Sequence, residues 1–174
     1  MDEQRAAVMD KISLFKKPPE TDAPIDPCGA ISILIVDDEE HLVELLTRKI
    51  KFLNHRVVGK ARHGKEAIEL AQKLRPDLII MDIGLPVLDG IEAARAILQT
   101  QRVPIVISTG AADEGTLHRL KDLAISAYLV KPYSPAQLKA ALHVAMAAAE
   151  RESRRPGLPG TIAAKGKIDL SAMG

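Results

Sequence analysis

The segment that most constrains this chain is residues 78–90, LIIMDIGLPVLDG. Its first four residues are apolar without alternation and too few for a helix, a pattern typical of a strand covered on both faces of a parallel sheet. Asp82 follows where this strand should end. Because ligands of open α/β sheets bind at the carboxyl ends of strands, Asp82 is a candidate functional residue. A lone aspartate here is more commonly a helix N-cap or turn residue, so the hypothesis depends on its neighbours.

Apolar runs alternate with helical patterns on both sides of this segment. Strands are predicted at 31–36, 56–61, 78–81, 105–108 and 127–130, and helices at 42–53, 65–74, 90–98, 113–123 and 135–150. The strand at 56–61 is the weakest and is expected near an edge. Alternation of this kind requires right-handed crossovers, so we expect an α/β fold with a doubly wound, five-stranded parallel sheet.

The predicted domain covers residues 30–150 and is flanked by two different segments. Val8, Ile12 and Phe15 lie at helical spacing and predict a short N-terminal helical extension, while residues 17–29 are rich in proline and typical of a linker. The helix is expected either to dock on its own domain, a second copy or a partner, or to be a disordered leader. Residues 151–174 are expected to form a tail.

Composition excludes several classes of function. The chain has 24 Lys plus Arg against 23 Asp plus Glu, a net charge of +1. It therefore lacks the excess of positive charge that is typical of proteins that bind nucleic acid or anionic membranes. No stretch approaches the roughly 20 apolar residues of a membrane span, and the single cysteine, Cys28, can form no intrachain disulfide. The tail lacks the apolar periodicity of a DNA-binding or catalytic module. We expect a cytoplasmic protein without direct nucleic-acid binding or membrane insertion.

Polar residues follow four of the five predicted strands and should meet at one edge of the sheet. They are Asp37, Asp38, Asp82, Thr109 and Lys131. Clustered carboxylates repel one another unless a cation neutralises them, and hard oxygen ligands suit Mg²⁺. A hydroxyl and an ammonium group are the partners expected around a phosphoryl group. Taken singly, each residue has an ordinary alternative: an acidic helix N-terminus, a turn-capping threonine or a solvated lysine.

Four motifs in order, IVDDE, MDIGLPVLDG, VPIVISTG and AYLVKPY, resemble the receiver domain of two-component response regulators of the stand-alone type. The resemblance covers residues 31–150, and its intervals of 44, 27 and 22 residues, from Asp38 through Asp82 and Thr109 to Lys131, are typical of that family. It implies a flavodoxin-like strand order of 2-1-3-4-5. It also implies Asp82 as the phosphoacceptor.

The resemblance further implies roles for the neighbouring residues. Asp38 and Asp82 would bind Mg²⁺ directly and Asp37 through water, with the backbone carbonyl of Gly84 as a further ligand. In the same way, Thr109 would hydrogen-bond a phosphoryl oxygen and Lys131 would pair with it. Thr109 and Tyr128 match the switch residues of the family, and Lys131-Pro132 matches a peptide bond that is commonly cis. Ala124-Ile125 and Gly110 depart from the family pattern, near the region used for output.

The implied function is a phosphorylation-dependent switch. Asp82 would accept a phosphoryl group from a sensor histidine kinase or phosphotransfer protein, and a conformational change would signal to a downstream protein, without enzymatic activity beyond self-catalysed phosphorylation and dephosphorylation. Two alternatives stay open. A metal-dependent phosphohydrolase with an Asp nucleophile would normally need a second carboxylate where Gly84 stands. A phosphorylation-independent interaction module would leave the acidic cluster unused.

Overall fold

The computed structural model describes residues 29–110, 114–121 and 123–154. Five strands and five helices alternate along them: β1 (Ser32–Val36), α1 (Glu40–Phe52), β2 (Arg56–Ala61), α2 (Gly64–Leu74), β3 (Leu78–Asp82), α3 (Gly90–Thr100), β4 (Ile105–Thr109), α4 (Glu114–Leu120), β5 (Ala127–Val130) and α5 (Pro135–Arg154). The five predicted strand–helix units are therefore confirmed. The predicted N-terminal helix, its linker up to residue 28 and the tail from residue 155 lie outside the described residues.

The strands form one parallel sheet in the order β2-β1-β3-β4-β5. This confirms the doubly wound fold and places β2 at an edge, as its weak pattern predicted. In the register of the sheet, Val36 pairs with Met81, Asp82 with Ser108, and Thr109 with Val130. The carboxyl ends of β1, β3, β4 and β5 consequently lie side by side.

The core has two layers because the central strands are buried on both faces. One face packs against α2 and α3, and includes Leu34, Ile79, Met81 and Ile107. The opposite face packs against α1 and α5, and includes Ile33, Ile35, Ile80 and Val106. Every residue of β1, β3 and β4 is buried, which explains why their sequences are continuous apolar runs rather than alternating ones.

Several helix boundaries differ from the sequence prediction by one or two residues: α1 begins at Glu40 rather than residue 42, and α3 ends at Thr100 rather than residue 98. The ends of α4 and α5 differ by more. Helix α4 ends at Leu120 rather than residue 123; Lys121 lies in a turn, and the backbone N–H of Leu123 donates to the carbonyl oxygen of Leu120. Gly115 and Thr116 are weak helix formers, which limits this helix. Helix α5 continues to Arg154 rather than ending near residue 150, because neither glycine nor proline interrupts it there.

The start of α5 agrees with the sequence prediction. Ser134 Oγ accepts from the backbone N–H of Gln137, and Gln137 Oε1 accepts from the backbone N–H of Ser134. This reciprocal pair is a capping box that satisfies two N–H groups at the helix end. Across the described parts of the chain, no helix is long and apolar enough to cross a membrane.

Candidate functional site

Three aspartates converge at the carboxyl edge of the sheet. Asp82 is the last residue of β3, and Asp37 and Asp38 directly follow β1. One carboxylate oxygen from each lies within 4.8 Å of the others. Asp37 and Asp82 are only 5% and 9% exposed, whereas Asp38 is exposed. The structure therefore places two buried carboxylates and one accessible carboxylate together, as the strand ends predicted.

Lys131 reaches into this cluster from the residue after β5. Its Nζ lies 2.7 Å from Asp37 Oδ2 and 3.4 Å from Asp82 Oδ2. Its backbone N–H donates to the carbonyl oxygen of Thr109 at 2.8 Å, which holds the start of the β5–α5 connection against β4. The Lys131-Pro132 peptide bond is cis, as the family pattern implied.

The electrostatics of the cluster favour a bound cation. Burial raises the pKa of Asp82, and the charge of Asp37 adds to that effect, while Lys131 and a hydrogen bond from the Ile83 N–H oppose it. Burial would lower the pKa of Lys131, but the hydrogen bond and charge of Asp37, together with Asp82, outweigh burial and raise it. Three carboxylates are grouped here and Lys131 pairs with two of them, so the cluster can accept further positive charge, and its oxygen atoms fit Mg²⁺.

The loop after β3 contains two glycines, of which one is sterically required. Gly84 lies beside the phosphoacceptor candidate, and a Cβ there would be 3.9 Å from Asp82 Oδ2, an ordinary contact distance. A Cβ on Gly90 would overlap the backbone oxygen of Asp82, and the Gly90 N–H donates to the Ile83 carbonyl at 3.1 Å. The loop therefore closes tightly on the backbone of Asp82, and only glycine permits this approach at position 90.

Asp89 anchors the far end of the same loop. Its Oδ1 accepts from the backbone N–H of Ile91 at 2.7 Å and caps α3. Its Oδ2 accepts from Arg119 of α4 at 2.8 Å. Both carboxylate oxygens are thus engaged, and the loop that follows Asp82 is linked to α4.

The two predicted switch residues lie in different environments. Thr109 ends β4 and is 7% exposed, beside the Lys131 backbone that binds its carbonyl. Tyr128 pairs with Ile107 in the sheet, and its side chain is 55% exposed. The structure therefore places Thr109 at the aspartate edge and Tyr128 on the outer surface of β5.

Sequence reasoning missed a second layer behind Lys131. The Tyr133 hydroxyl lies 3.4 Å from Ser108 Oγ, and burial raises the pKa of Tyr133, while the hydrogen bond to Ser108 opposes this rise. Lys49 of α1 donates to the Tyr133 carbonyl oxygen at 2.9 Å. Tyr133 could have been considered because it follows Lys131 by two residues. Lys49 lies 84 residues from Tyr133 in the chain, and no sequence pattern linked the two residues.

Comparison with known proteins decides the family. The model of the response regulator receiver domain matches residues 33–143 of the chain. The chain belongs to this family. The receiver domain is similar to the transcriptional regulatory protein PdtaR of Mycobacterium tuberculosis, with 38% identity over 128 residues, covering 74% of this chain and 62% of that protein. A protein-glutamate methylesterase/protein-glutamine glutaminase of Methanococcoides burtonii is 32% identical, with 59% and 30% covered. The chain thus spans less than two thirds of the length of these relatives.

Solved structures place the fold in the same family. The receiver domain of the sensor histidine kinase PA1611 from Pseudomonas aeruginosa aligns with a TM-score of 0.63 and 31% identity, covering 68% of this chain and 99% of that one. That structure has a magnesium ion coordinated in its active-site cleft. The response regulator domain of Thermotoga maritima CheB aligns with a TM-score of 0.62 and 30% identity, covering 68% and 97%. The chain contains a receiver domain of two-component signalling, generally a phosphoacceptor rather than an enzyme.

Proposed function

We propose that this receiver domain is a phosphorylation-dependent switch in which Asp82 accepts the phosphoryl group. The observation that supports it is the convergence at Asp82: a nearly buried carboxylate at a strand end, 3.4 Å from the Lys131 ammonium group and grouped with Asp37 and Asp38. A structural aspartate would gain nothing from two further carboxylates beside it. A nucleophile that accepts a charged phosphoryl group needs an ammonium group to neutralise the phosphoryl oxygens and carboxylates to bind a metal ion, and these neighbours can supply both.

In the proposed reaction, a carboxylate oxygen of Asp82 attacks phosphorus in line. The new P–O bond forms as the bond to the donor's imidazole nitrogen breaks, and the electron pair leaves with the imidazole. Lys131 is placed to neutralise the oxygens of the transferring group. Asp38 and Asp82, with Asp37 through water and the Gly84 carbonyl, would hold Mg²⁺, which when bound supplies further charge neutralisation.

The proposed output begins at Thr109. Its hydroxyl would bond a phosphoryl oxygen on Asp82, since Thr109 ends the strand beside β3. Movement of Thr109, with Tyr128 and α4, would then change the surface offered to a downstream protein. Gly84 stands where a hydrolase would normally need a carboxylate, which favours a switch over continuous turnover.

The proposed partners and organisation follow from this function. The donor would be a sensor histidine kinase or phosphotransfer protein in the cytoplasm, and the downstream partner a protein rather than nucleic acid. Residues 30–150 would form the receiver domain, with its last helix continuing to Arg154. Residues 1–29 would be an N-terminal extension that could support a homodimer, and the residues after this helix would be a tail.

The test is phosphorylation of the full chain by acetyl phosphate with Mg²⁺, followed by intact mass and mapping of the modified residue. We expect one phosphoryl group on Asp82, none in Asp82→Asn, and none when a chelator removes Mg²⁺. Beryllofluoride with Mg²⁺ should bind the wild-type protein and not Asp82→Asn. If the wild-type protein is not phosphorylated and does not bind beryllofluoride, the phosphorylation-independent interaction module is favoured. Steady release of phosphate would favour the metal-dependent phosphohydrolase.

A further inference from the structure

Lys49 lies outside the aspartate cluster, and its ammonium group contacts Tyr133. Its Nζ donates to the backbone oxygen of Tyr133 at 2.9 Å and lies 5.1 Å from the centre of the Tyr133 ring. A cation over an aromatic face is attracted by the ring quadrupole. Within the described part of the chain, no carboxylate forms an ion pair with Lys49. Its contacts therefore act on the position of Tyr133.

Tyr133 belongs to the short connection between β5 and α5, two residues after Lys131. On the sheet side, this connection is held by the Lys131 N–H on the Thr109 carbonyl. Beyond Lys131, the Tyr133 hydroxyl reaches Ser108 Oγ and the Tyr133 carbonyl is bound by Lys49. Ser108 pairs with Asp82 in the sheet, so the Tyr133 ring spans from α1 to the strand beside the proposed phosphoacceptor.

The position of the Lys131 ammonium group depends on this connection. Lysine has a flexible stem, and its Nζ sits between Asp37 and Asp82 only if the backbone that bears it is fixed. A displacement of about 1 Å in a group that stabilises a transition state can cost up to 10²-fold in rate. Contacts on both sides of Lys131 are therefore relevant to the chemistry.

We propose that Lys49 is a positioning residue for phosphoryl transfer: by binding Tyr133, it fixes the 131–134 connection and keeps the Lys131 ammonium group between Asp37 and Asp82. This inference rests on the proposed function of Asp82. Lys49 acts through Tyr133 and Lys131, and touches neither the nucleophile nor the donor.

The test compares three variants of the full chain in Mg²⁺ and acetyl phosphate. Lys49→Met keeps the side-chain stem but removes the charge and the donor, and should lower the maximal rate of Asp82 phosphorylation on the order of tenfold. Lys49→Arg keeps a cation and N–H donors, and should restore most of the rate. Lys51→Met, on the exposed side of the same helix, is the matched control and should match wild type. Half-saturation by Mg²⁺ should stay at the wild-type value in Lys51→Met and shift toward tighter binding in Lys49→Met, because the Lys131 charge is then held less firmly beside Asp37 and Asp82.

A Lys131→Met background separates positioning from a general structural role. If Lys49 acts through Lys131, adding Lys49→Met to Lys131→Met should cause no further loss of rate, because the ammonium group through which Lys49 acts is already gone and changes along one shared path are non-additive. An equal fractional loss in both backgrounds, or a wild-type rate for Lys49→Met alone, would overturn the inference. A separate comparison of phosphorylation in the wild-type chain and in Asp82→Asn tests the proposed function. If the wild-type chain takes no phosphoryl group, both fail; if it does and Lys49→Met matches it, only the role of Lys49 fails.

Discussion

The Lys131 ammonium group is bound to Asp37 at 2.7 Å, and the two side chains are only 18% and 6% exposed. Because both are largely removed from water, this ion pair is screened less than a surface pair. The same ammonium group lies farther, at 3.4 Å, from Asp82. Lys131 therefore neutralises the acidic cluster mainly through Asp37. In the proposed magnesium site, the same carboxylate would also bind Mg²⁺ through water.

Replacing Lys131 should have opposite effects on metal binding and on phosphorylation. Lys131→Met removes a positive charge beside the carboxylates, so we expect Mg²⁺ to bind several-fold more tightly, about 3- to 10-fold. The same change removes charge stabilisation of the transferring group and should slow phosphorylation about 10²-fold. Calorimetric Mg²⁺ titration and rates with acetyl phosphate measure the two effects. Weaker Mg²⁺ binding in Lys131→Met would contradict this account.

Asp38 is the exposed member of the acidic cluster. Asp38→Ala should weaken Mg²⁺ binding by about tenfold or more, since one of a few protein ligands is lost. It should leave the free energy of unfolding in metal-free buffer within about 0.5 kcal/mol of wild type, as for other exposed positions. Glu39→Ala, an exposed neighbour outside the cluster, is the control. Equal Mg²⁺ affinities for the two variants would exclude Asp38 as a ligand.

Asp82 should destabilise the metal-free protein at neutral pH. Burial raises the pKa of Asp82 in the native state above 3.8, the ordinary value that applies to the unfolded state. Between the unfolded-state pKa and the higher native-state pKa, the native protein binds the Asp82 proton more firmly than the unfolded chain. The Asp82 contribution to stability therefore falls as pH rises through that window. Asp82→Asn, which cannot ionise, should be more stable than wild type at pH 7 in chelator, with the difference shrinking below pH 3.8.

Urea unfolding across this pH range, with and without Mg²⁺, measures the effect of Asp82→Asn. Added Mg²⁺ should stabilise the wild-type protein and narrow the difference, because a ligand that binds only the native state shifts the folding equilibrium. A wild-type protein more stable than Asp82→Asn at pH 7 in chelator would show that Lys131 overcompensates the burial of Asp82.

Asp89 has two separable contributions to stability. Asp89→Ala removes the cap on α3 and the pair with Arg119, and should lower the free energy of unfolding by about 1 to 2 kcal/mol. Asp89→Asn keeps a capping oxygen and should lose much less. Arg119→Gln removes only a partly exposed ion pair, worth about 0.2 to 1 kcal/mol. Urea unfolding of the three variants gives the ranking, and a loss in Asp89→Asn equal to that in Asp89→Ala would argue against the cap.

Much of the fold followed from local sequence. The apolar runs of β1, β3 and β4 predicted buried strands because a sheet covered on both faces requires them. The start of α5 predicted at residue 135 is confirmed, and Ser134 and Gln137 form a capping box there. Helix ends were less certain, since α4 stops at Leu120 and α5 runs to Arg154. Helix ends depend on small differences in propensity that packing can reverse.

The sequence by itself determined which residues stand at the strand ends, and hence that Asp37, Asp82 and Lys131 would share one edge of the sheet. Only the tertiary structure decided that Lys131 pairs more closely with Asp37 than with Asp82, and that Lys49 binds Tyr133. The physical reason is distance along the chain. The alternation of strands and helices follows from periodic patterns in the sequence, but contacts between residues 84 or 94 positions apart depend on how α1 and the β5–α5 connection pack on the sheet, which no local pattern encodes.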